Sequence, residues 1–273
     1  MLRFILSLLF LILGFVASLS EGQDKKSPPP EDKPLYADYK APDGQTIPPP
    51  VKIDEHSVRV GKVIVNHETK TVSFPAYVNL EEGLVEYILC LPNGKLHESL
   101  LVTDADPLHI SIGMKLAGFK SFERFFPMRG PNLEWLPFIP AKPEEYAQAY
   151  LHIELLWQDE DKHGGKQHRS NLSDLIINTK TKEPFPAQDW LYTNSFFFND
   201  RYQASLTGDI IAIFADRNST INYIGKFNDG DNESGWIVNS KHPLTPSTPV
   251  TIVISQPTSQ PKAQKAPKKS PTQ

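Results

Sequence analysis

The chain has 273 residues, of which 39% are hydrophobic and 22% charged, and this composition excludes both a fully disordered chain and a protein with many membrane spans. Its single cysteine excludes a disulfide scaffold, a cysteine-rich zinc site and an iron–sulfur cluster. Residues 53–255 hold 18 of the 28 basic and 26 of the 32 acidic residues. The resulting net charge of −8 repels phosphate, so we expect no binding to nucleic acid.

The first 20 residues have the pattern of a signal peptide. Arg3 precedes an apolar run from Phe4 to Ala17, which is shorter than the ~20 residues that a membrane-spanning helix needs. We therefore predict export to the periplasm or the extracellular space. The alternative is an uncleaved signal that anchors the chain in a membrane.

Two segments flank the predicted globular domain, which we place at residues 53–255. Residues 21–52 contain the triplets Pro28–Pro30 and Pro48–Pro50, and proline fixes φ and removes amide donors. This stretch is predicted to be a disordered linker. Residues 256–273 carry four lysines and no acidic residue, and are predicted to be a basic disordered tail.

Most of the domain alternates apolar and polar residues with the period of a β-strand. In chain order, the predicted strands are 62–66, 71–78, 84–91, 95–103, 150–157, 190–198, 208–215, 235–238 and 250–255. A helix is predicted to begin at Asp106-Pro107 and to end at Gly118. No long helix alternates with the strands, so we predict a β-rich α+β fold. Its sheet is antiparallel or mixed, arranged as a sandwich or partial barrel, with one or two short helices.

Six segments resemble the YdjY-domain family of exported bacterial proteins. They are Lys62–Tyr77, Gly83–Tyr87, Lys95–Leu101, Trp190–Ser195, Gly208–Ala212 and Thr248–Ile254. The His97-Glu98-Ser99 piece is the most specific of them. The family is functionally uncharacterised, so the resemblance implies a domain boundary and an exported context, and it implies no catalytic residue.

The candidate catalytic residues come from a predicted hairpin, because motifs such as GxSxG, HExxH and CxxC are absent. If Asn93-Gly94 forms a two-residue turn, His97 lies opposite Cys90 with Cβ atoms ~5 Å apart. An imidazolium lowers the pKa of a neighbouring thiol, which would make Cys90 a nucleophile. The alternative is that Cys90 is a small buried hydrophobic residue.

Glu98 falls among apolar residues on the predicted core side of this hairpin. A buried carboxylate needs a cationic partner or it becomes protonated. We predict a buried salt bridge, for which the candidate partners are Arg124, Arg129 and Arg169. The alternative is a site acid that acts with His97, Cys90 or Asp104.

Oxygen-rich loops are candidates for calcium, which takes 6–8 oxygen ligands. One loop offers Asp229, Asp231 and Glu233, and residues 159–161 offer three more carboxylates. Such loops also form ordinary turns. A further candidate metal cluster consists of His152, His163 and His168. We predict no other cofactor.

Aromatic residues provide a third type of candidate site, a groove that binds a glycan or a peptide by stacking. The candidates are Trp135, Phe138, Trp190, Tyr192 and Phe196–Phe198. The alternative is that these residues form the core.

Two functional hypotheses follow. The first is a non-catalytic binding or interaction module of the cell envelope, whose partner is an envelope protein or a glycan. The second is a hydrolase-type enzyme with a site around His97 and Glu98. An enzyme needs polar side chains that converge in one cleft, whereas a binding module needs an exposed aromatic or apolar patch.

Overall fold

The computed structural model of the chain describes residues 39–42, 46–126, 142–159, 165–186, 190–225 and 235–257. The predicted signal peptide, most of the predicted linker and most of the predicted tail lie outside the described residues. Within the described part of the chain, no helix is long and apolar enough to cross a membrane.

The described residues form seventeen strands and two α-helices, α1 (Pro107–Leu116) and α2 (Gln203–Thr207). The strands are β1 (Val51–Lys52), β2 (Ser57–Val60), β3 (Val63–Asn66), β4 (Thr71–Val78), β5 (Leu84–Val85), β6 (Tyr87–Cys90), β7 (Ser99–Val102), β8 (Tyr150–Gln158), β9 (Gln167–Asn171), β10 (Ile176–Asn178), β11 (Trp190–Tyr192), β12 (Phe197–Phe198), β13 (Arg201–Tyr202), β14 (Asp209–Ala212), β15 (Ile221–Tyr223), β16 (Trp236–Val238) and β17 (Pro249–Ser255).

Eight strands of the large sheet close into a barrel, in the order β4, β17, β8, β11, β15, β14, β6, β7 and back to β4. β6 runs parallel to β7 and β14 parallel to β15, whereas the other neighbours in the ring are antiparallel. The predicted β-rich fold with a mixed sheet and short helices is therefore confirmed. The closed barrel is more specific than the predicted sandwich or partial barrel.

Alternating burial explains why the long strands form one wall of the barrel. Along β4 every second residue from Val72 to Val78 is buried, and along β17 the buried residues are Val250, Ile252 and Ile254. Because side chains alternate between the two faces of a strand, the buried side chains of β4 and β17 lie on one face, in the core, and the others lie on the outer face.

Further strands extend the barrel. β3, β2 and β1 continue the sheet from the first half of β4, and β9 pairs with the second half of β8. A separate three-stranded sheet has the order β10, β16, β5, and β12 and β13 form a small hairpin.

Helix α1 confirms the predicted helix start. The Asp106 side chain accepts a hydrogen bond from the amide of Leu108 at 2.9 Å, and Pro107 is the first helical residue. The helix packs closely on the start of the large sheet. A Cβ added at Gly113 would lie only 2.9 Å from a methyl group of Val63, so glycine permits this close approach.

Large aromatic side chains fill part of the core. Phe185 contacts Trp190, Tyr223 and Trp236 with ring centroids 4.3–5.1 Å apart, and all four residues are buried. Trp190 therefore belongs to the core, and so does the buried Tyr192 of the same strand.

The end of the predicted linker requires a correction. Val51 and Lys52 form β1, which pairs with Val58 and Arg59 of β2, because the proline triplet ends at residue 50 and the next amides are free to join the sheet. Tyr39 also packs against the core. The folded part of the chain thus begins before residue 53.

The predicted two-residue hairpin at Asn93-Gly94 is wrong. β6 and β7 lie side by side but run parallel, with Cys90 opposite Val102. β14 lies antiparallel on the other side of β6, and the amide of Leu91, directly after β6, donates to the carbonyl of Gly208 at 2.7 Å, which directs the chain away from a tight hairpin. The chain then makes one turn of 3-10 helix before it begins β7.

Candidate functional site

Cys90 is buried at the end of β6. Burial raises the pKa of its thiol to about 12 and outweighs the opposing effects of a hydrogen bond to Ser99 and the charge of Lys95. The thiol therefore stays protonated at neutral pH, and a protonated thiol is a poor nucleophile. Its environment is that of a small buried hydrophobic residue.

The other two candidate catalytic residues lie together. His97 and Glu98 belong to the same turn of 3-10 helix, with Nε2 and Oε2 3.6 Å apart. The side chain of His97 is 80% exposed, and that of Glu98 is 20% exposed. Because β6 and β7 are parallel, the predicted pairing of His97 with Cys90 is wrong. Asp104 forms an ion pair with Lys62.

The predicted salt bridge of Glu98 with an arginine is not made by the described candidates. Arg124 Nη2 lies 2.7 Å from Oε2 of Glu145, and Arg169 Nη1 lies 3.5 Å from a carboxylate of β8. Arg129 lies outside the described residues. Glu98 was expected on the face of a strand, and the 3-10 turn instead places it beside His97 at the edge of the barrel.

Most of the predicted metal ligands fall outside the described residues, namely Asp229, Asp231, Glu233, Glu160, Asp161 and His163. Asp159 lies 2.8 Å from Nε2 of His168, which stacks on Trp157, and His152 lies 3.8 Å from Glu154. Within the described ranges, no group of three or more His, Cys, Asp and Glu side chains is placed to hold a metal ion.

The aromatic candidates divide into core and surface. Trp190 and Tyr192 are buried, and Trp135 and Phe138 lie outside the described residues. The remaining candidates are Phe196–Phe198, where the side chains at 197 and 198 are each 57% exposed. We call residues 196–202 the aromatic hairpin.

Two residues at the tip give the aromatic hairpin its shape. β12 pairs with β13 so that Phe197 lies opposite Tyr202 and Phe198 opposite Arg201. Asn199 and Asp200 connect the strands with φ values of 47° and 59°. Positive φ at both residues of a two-residue loop is characteristic of a type I′ turn, whose twist matches that of a hairpin.

Asn194 connects the base of the aromatic hairpin to two other parts of the fold. Its Oδ1 accepts hydrogen bonds from the hydroxyls of Ser111 at 2.8 Å and Tyr202 at 2.7 Å. Its Nδ2 donates to Oε1 of Glu123 at 3.1 Å. The residue has a left-handed φ of 58°, which asparagine adopts more readily than most residues. Helix α1, β13 and the 3-10 turn at 123–125 are thus joined through one side chain.

Further hydrogen bonds hold both ends of the aromatic hairpin. The amide of Gln203 donates to the carbonyl of Phe196 at 2.9 Å, and the amide of Ala204 donates to the hydroxyl of Ser195 at 3.1 Å. Helix α2 follows directly, and the Ser205 hydroxyl donates to the Asp106 carboxylate at 2.6 Å. The exposed phenyl rings therefore stand on a fixed base.

Arg217 covers the inner side of the aromatic hairpin. Its guanidinium lies 4.4 Å from the ring centroid of Phe196 and 5.5 Å from that of Phe126, and Nη1 donates to the carbonyl of Asn194 at 3.3 Å. Burial lowers the pKa of this guanidinium from its ordinary value.

Sequence reasoning missed both Asn194 and Arg217, because their partners are distant in the chain. The Asn199-Asp200 pair after three phenylalanines is a signal for the turn itself.

A second polar cluster lies where β14 meets β6. The Asp209 side chain is buried, and its Oδ1 has no hydrogen-bond partner among the described residues. Its Oδ2 lies 3.5 Å from Nζ of Lys95. The same Nζ donates a hydrogen bond to the hydroxyl of Tyr87 and lies 4.1 Å from the centre of the Tyr87 ring. Burial raises the pKa of Asp209, and the ammonium of Lys95 opposes that effect.

The raised pKa of Asp209 makes the stability depend on pH in a defined direction. Because the folded state binds the proton more tightly than the unfolded state does, stability from this group is complete below pH ~4 and is lost as the pH rises through the folded pKa. Replacing Asp209 with asparagine removes this loss. The variant is therefore expected to gain stability relative to the wild type between pH 4 and pH 7.5, measured by urea unfolding.

Asp54 provides a control of opposite sign. A hydrogen bond from the amide of His56 lowers the pKa of this exposed carboxylate, so its contribution is present above pH ~4 and is lost in acid. Asp54→Asn is expected to lose stability relative to the wild type as the pH rises. The difference in free energy of unfolding between Asp209→Asn and the wild type should grow in favour of the variant as the pH rises. A difference that stays constant, or that falls with pH as it should for Asp54→Asn, would contradict the assigned environment of Asp209.

Comparisons of the chain with protein-family models, with curated proteins and with solved structures give no match. The resemblance to the YdjY-domain family stays a prediction.

Proposed function

We propose that this chain is an exported, non-catalytic interaction module of the cell envelope that binds a partner protein through the aromatic hairpin. The observation that carries the proposal is the exposure of Phe197 and Phe198 on the strand that leads into the two-residue turn at Asn199 and Asp200. Contiguous exposed apolar patches mark interaction sites more specifically than single exposed residues do, and aromatic anchors that fill pockets contribute most of the binding energy of many interfaces.

The rigidity of the aromatic hairpin supports an interaction role. An interface residue that is already held in its bound conformation loses little conformational entropy on binding. Asn194 and Arg217 fix the base, and the type I′ turn fixes the tip.

The shape of the site favours a protein over a glycan. Glycan sites need a flat or concave aromatic platform with polar groups beside it, whereas Phe197 and Phe198 project from a two-stranded hairpin. A projecting apolar tip fits a concave pocket on a partner protein. The proposed export follows from the apolar run after Arg3 and agrees with the expectation from the YdjY-like segments.

The chemistry of the candidate catalytic residues gives less support to the hydrolase alternative. The thiol of Cys90 is buried and protonated, and the imidazole of His97 is directed to solvent beside one carboxylate. These groups do not form the nucleophile–base pair that covalent hydrolysis requires.

Photo-cross-linking in the native envelope tests the proposal. A photoreactive phenylalanine analogue at position 198 of the full chain should give a discrete protein adduct, identified by mass spectrometry. The same analogue at Leu84, which is 62% exposed on β5, is the control and should not give that adduct.

Competition with purified protein then tests the two phenyl rings. The purified wild type should suppress the adduct, and the variant Phe197→Ala with Phe198→Ala should require on the order of 30-fold more protein, as for loss of an interface hot spot. The variant should stay folded, since both side chains are exposed and the one ring contact that is lost among the described residues joins Phe197 and Tyr202, at 5.3 Å between centroids. Equal suppression by both proteins, or adducts formed only with lipid, would overturn the proposal.

A further inference from the structure

A cavity of about 270 Å³ lies between the barrel and the three-stranded sheet. Val78 at the end of β4 and Leu100 of β7 form the barrel side, and Val238 of β16 and the loop that contains Leu244 form the other side. Helix α1 packs near Val72, at the opposite end of β4, and its Ser111 bonds to Asn194 at the base of the aromatic hairpin. The cavity and the aromatic hairpin therefore belong to different ends of the barrel wall.

One wall of the cavity is apolar, and polar side chains, among them Ser240 and Thr245, line the rest. Val78, Leu100, Leu175 and Leu244 are buried, and Val238 is half-buried. The Asn239 side chain beside them donates to the carbonyl of residue 174 at 2.9 Å, which satisfies it within the protein. A pocket with an apolar wall on one side and polar groups on the other fits a small amphiphilic ligand.

The rim of the cavity is acidic. Glu81 and Glu82 are both exposed at its edge, and within the described part of the chain neither forms an ion pair. His242 also lines the cavity, and its ring contacts Trp157 at 5.4 Å between centroids. Burial lowers the pKa of His242, and the nearby Asp174 opposes this effect only in part. The imidazole is therefore neutral at pH 7, and the charged residues that line the cavity are Glu81 and Glu82.

We propose that this cavity binds a short aliphatic chain that ends in an ammonium group. The methylenes would displace water from the apolar wall formed by Val78, Leu100 and Leu244, and the ammonium would lie between the carboxylates of Glu81 and Glu82. At roughly 30 Å³ for each methylene, the volume of a similarly sized water molecule in the liquid, about 270 Å³ corresponds to about nine such groups, so a six-carbon chain with its ammonium fits. Two sources supply this chemistry, a free alkylamine and a lysine side chain of a peptide.

Titration of the full chain with hexylammonium, followed by NMR of the backbone amides, tests the proposal. Hexylammonium should shift the amides of Val238 and Leu244 with a Kd of about 1 mM, which is ordinary for so small a ligand. Hexanoate has the same chain and the opposite charge, and methylammonium has the charge without the chain. Both should bind at least tenfold more weakly.

Matched charge variants distinguish binding of hexylammonium at Glu81 and Glu82 from attraction by the overall negative charge of the protein. Glu81→Gln with Glu82→Gln should reduce hexylammonium binding at least tenfold. Glu68→Gln with Glu144→Gln removes the same net charge from exposed positions outside the cavity and should leave binding unchanged. Equal losses in the two double variants, equal binding of hexanoate, or no shifts with hexylammonium would each overturn the proposal.

A further arm identifies the source of the ligand. Nα-acetyl-lysine methylamide presents the ammonium on a four-carbon side chain with the flanking peptide groups. Tighter binding of this compound than of butylammonium would assign the cavity to a lysine of a peptide, and weaker binding would assign it to a free amine. Loss of the aromatic hairpin's partner would not affect either result, so failure of the proposed function and failure of this proposal are separate outcomes.

Discussion

Replacing Gly208 with alanine is expected to destabilise the fold by about 2–5 kcal/mol. Gly208 ends α2 with a left-handed φ of 83°, a conformation that costs about 1–2 kcal/mol for a residue with a side chain. A Cβ at this position would also lie 2.7 Å from both the Cα and the amide nitrogen of Gly94. Backbone atoms cannot rotate away as a side chain can, so the loop at residues 91–95 has to move, at the cost of an overpacked core.

Gly118 offers a matched control for this prediction. It follows α1 with a φ of 86°, and a Cβ added there would meet no atom within 4 Å. Gly118→Ala therefore measures the cost of the backbone conformation alone, about 1–2 kcal/mol. Urea unfolding of both variants gives the difference. Equal losses in the two variants would show that the contact between Gly94 and Gly208 is not tight.

Replacing Asn194 with alanine is expected to cost about 2–4 kcal/mol of folding free energy. The substitution removes the acceptor for two buried hydroxyls, those of Ser111 and Tyr202, and a buried donor without a partner costs about 1–3 kcal/mol. The alanine must also keep the left-handed φ of 58°.

The variant should also loosen the aromatic hairpin, because Tyr202 loses its acceptor at the base. Chymotrypsin should then cleave after Phe197 or Phe198 faster than in the wild type. Asn199→Ala at the hairpin tip provides the control, since that residue has a similar φ of 47° and is exposed. If Asn194→Ala loses no more stability than Asn199→Ala, the network does not contribute as described.

Local patterns were sufficient to predict most elements of the fold. The alternation along Thr71–Val78 and along Val250–Ser255 identifies strands because each has one buried face. The helix start at Asp106-Pro107 is equally local, since capping depends on a residue and the amide two positions later. These signals need no knowledge of distant parts of the chain.

The errors arose where a distant segment decides the structure. Asn93-Gly94 has the composition of a hairpin turn, but the residue after β6 bonds to Gly208, more than a hundred residues later, and β7 pairs with β6 in parallel. The predicted pairing of His97 with Cys90 failed for the same reason. Closure of the barrel likewise depends on the pairing of β4 with β7, which no local pattern shows.

The candidate site was only partly predictable. Phe196–Phe198 were recognised as candidates for stacking, but the sequence could not separate them from Trp190, because exposure depends on the packing of the whole fold. The cavity lined by Leu175 and Leu244 was not foreseen, since its walls come from segments far apart in the chain.

The edges of the large sheet limit how other chains can attach to it. Closure of the barrel leaves β1 and β9 as its outermost described strands. β1 has only two residues and follows directly on Pro48–Pro50, and proline has no amide to offer an incoming strand. β9 carries only polar and charged residues, from Gln167 to Asn171. Both edges are therefore poor templates for strand addition, which protects the protein from edge-to-edge aggregation. It also means that recognition of this sheet by β-augmentation is disfavoured, and that partners have to read its side chains.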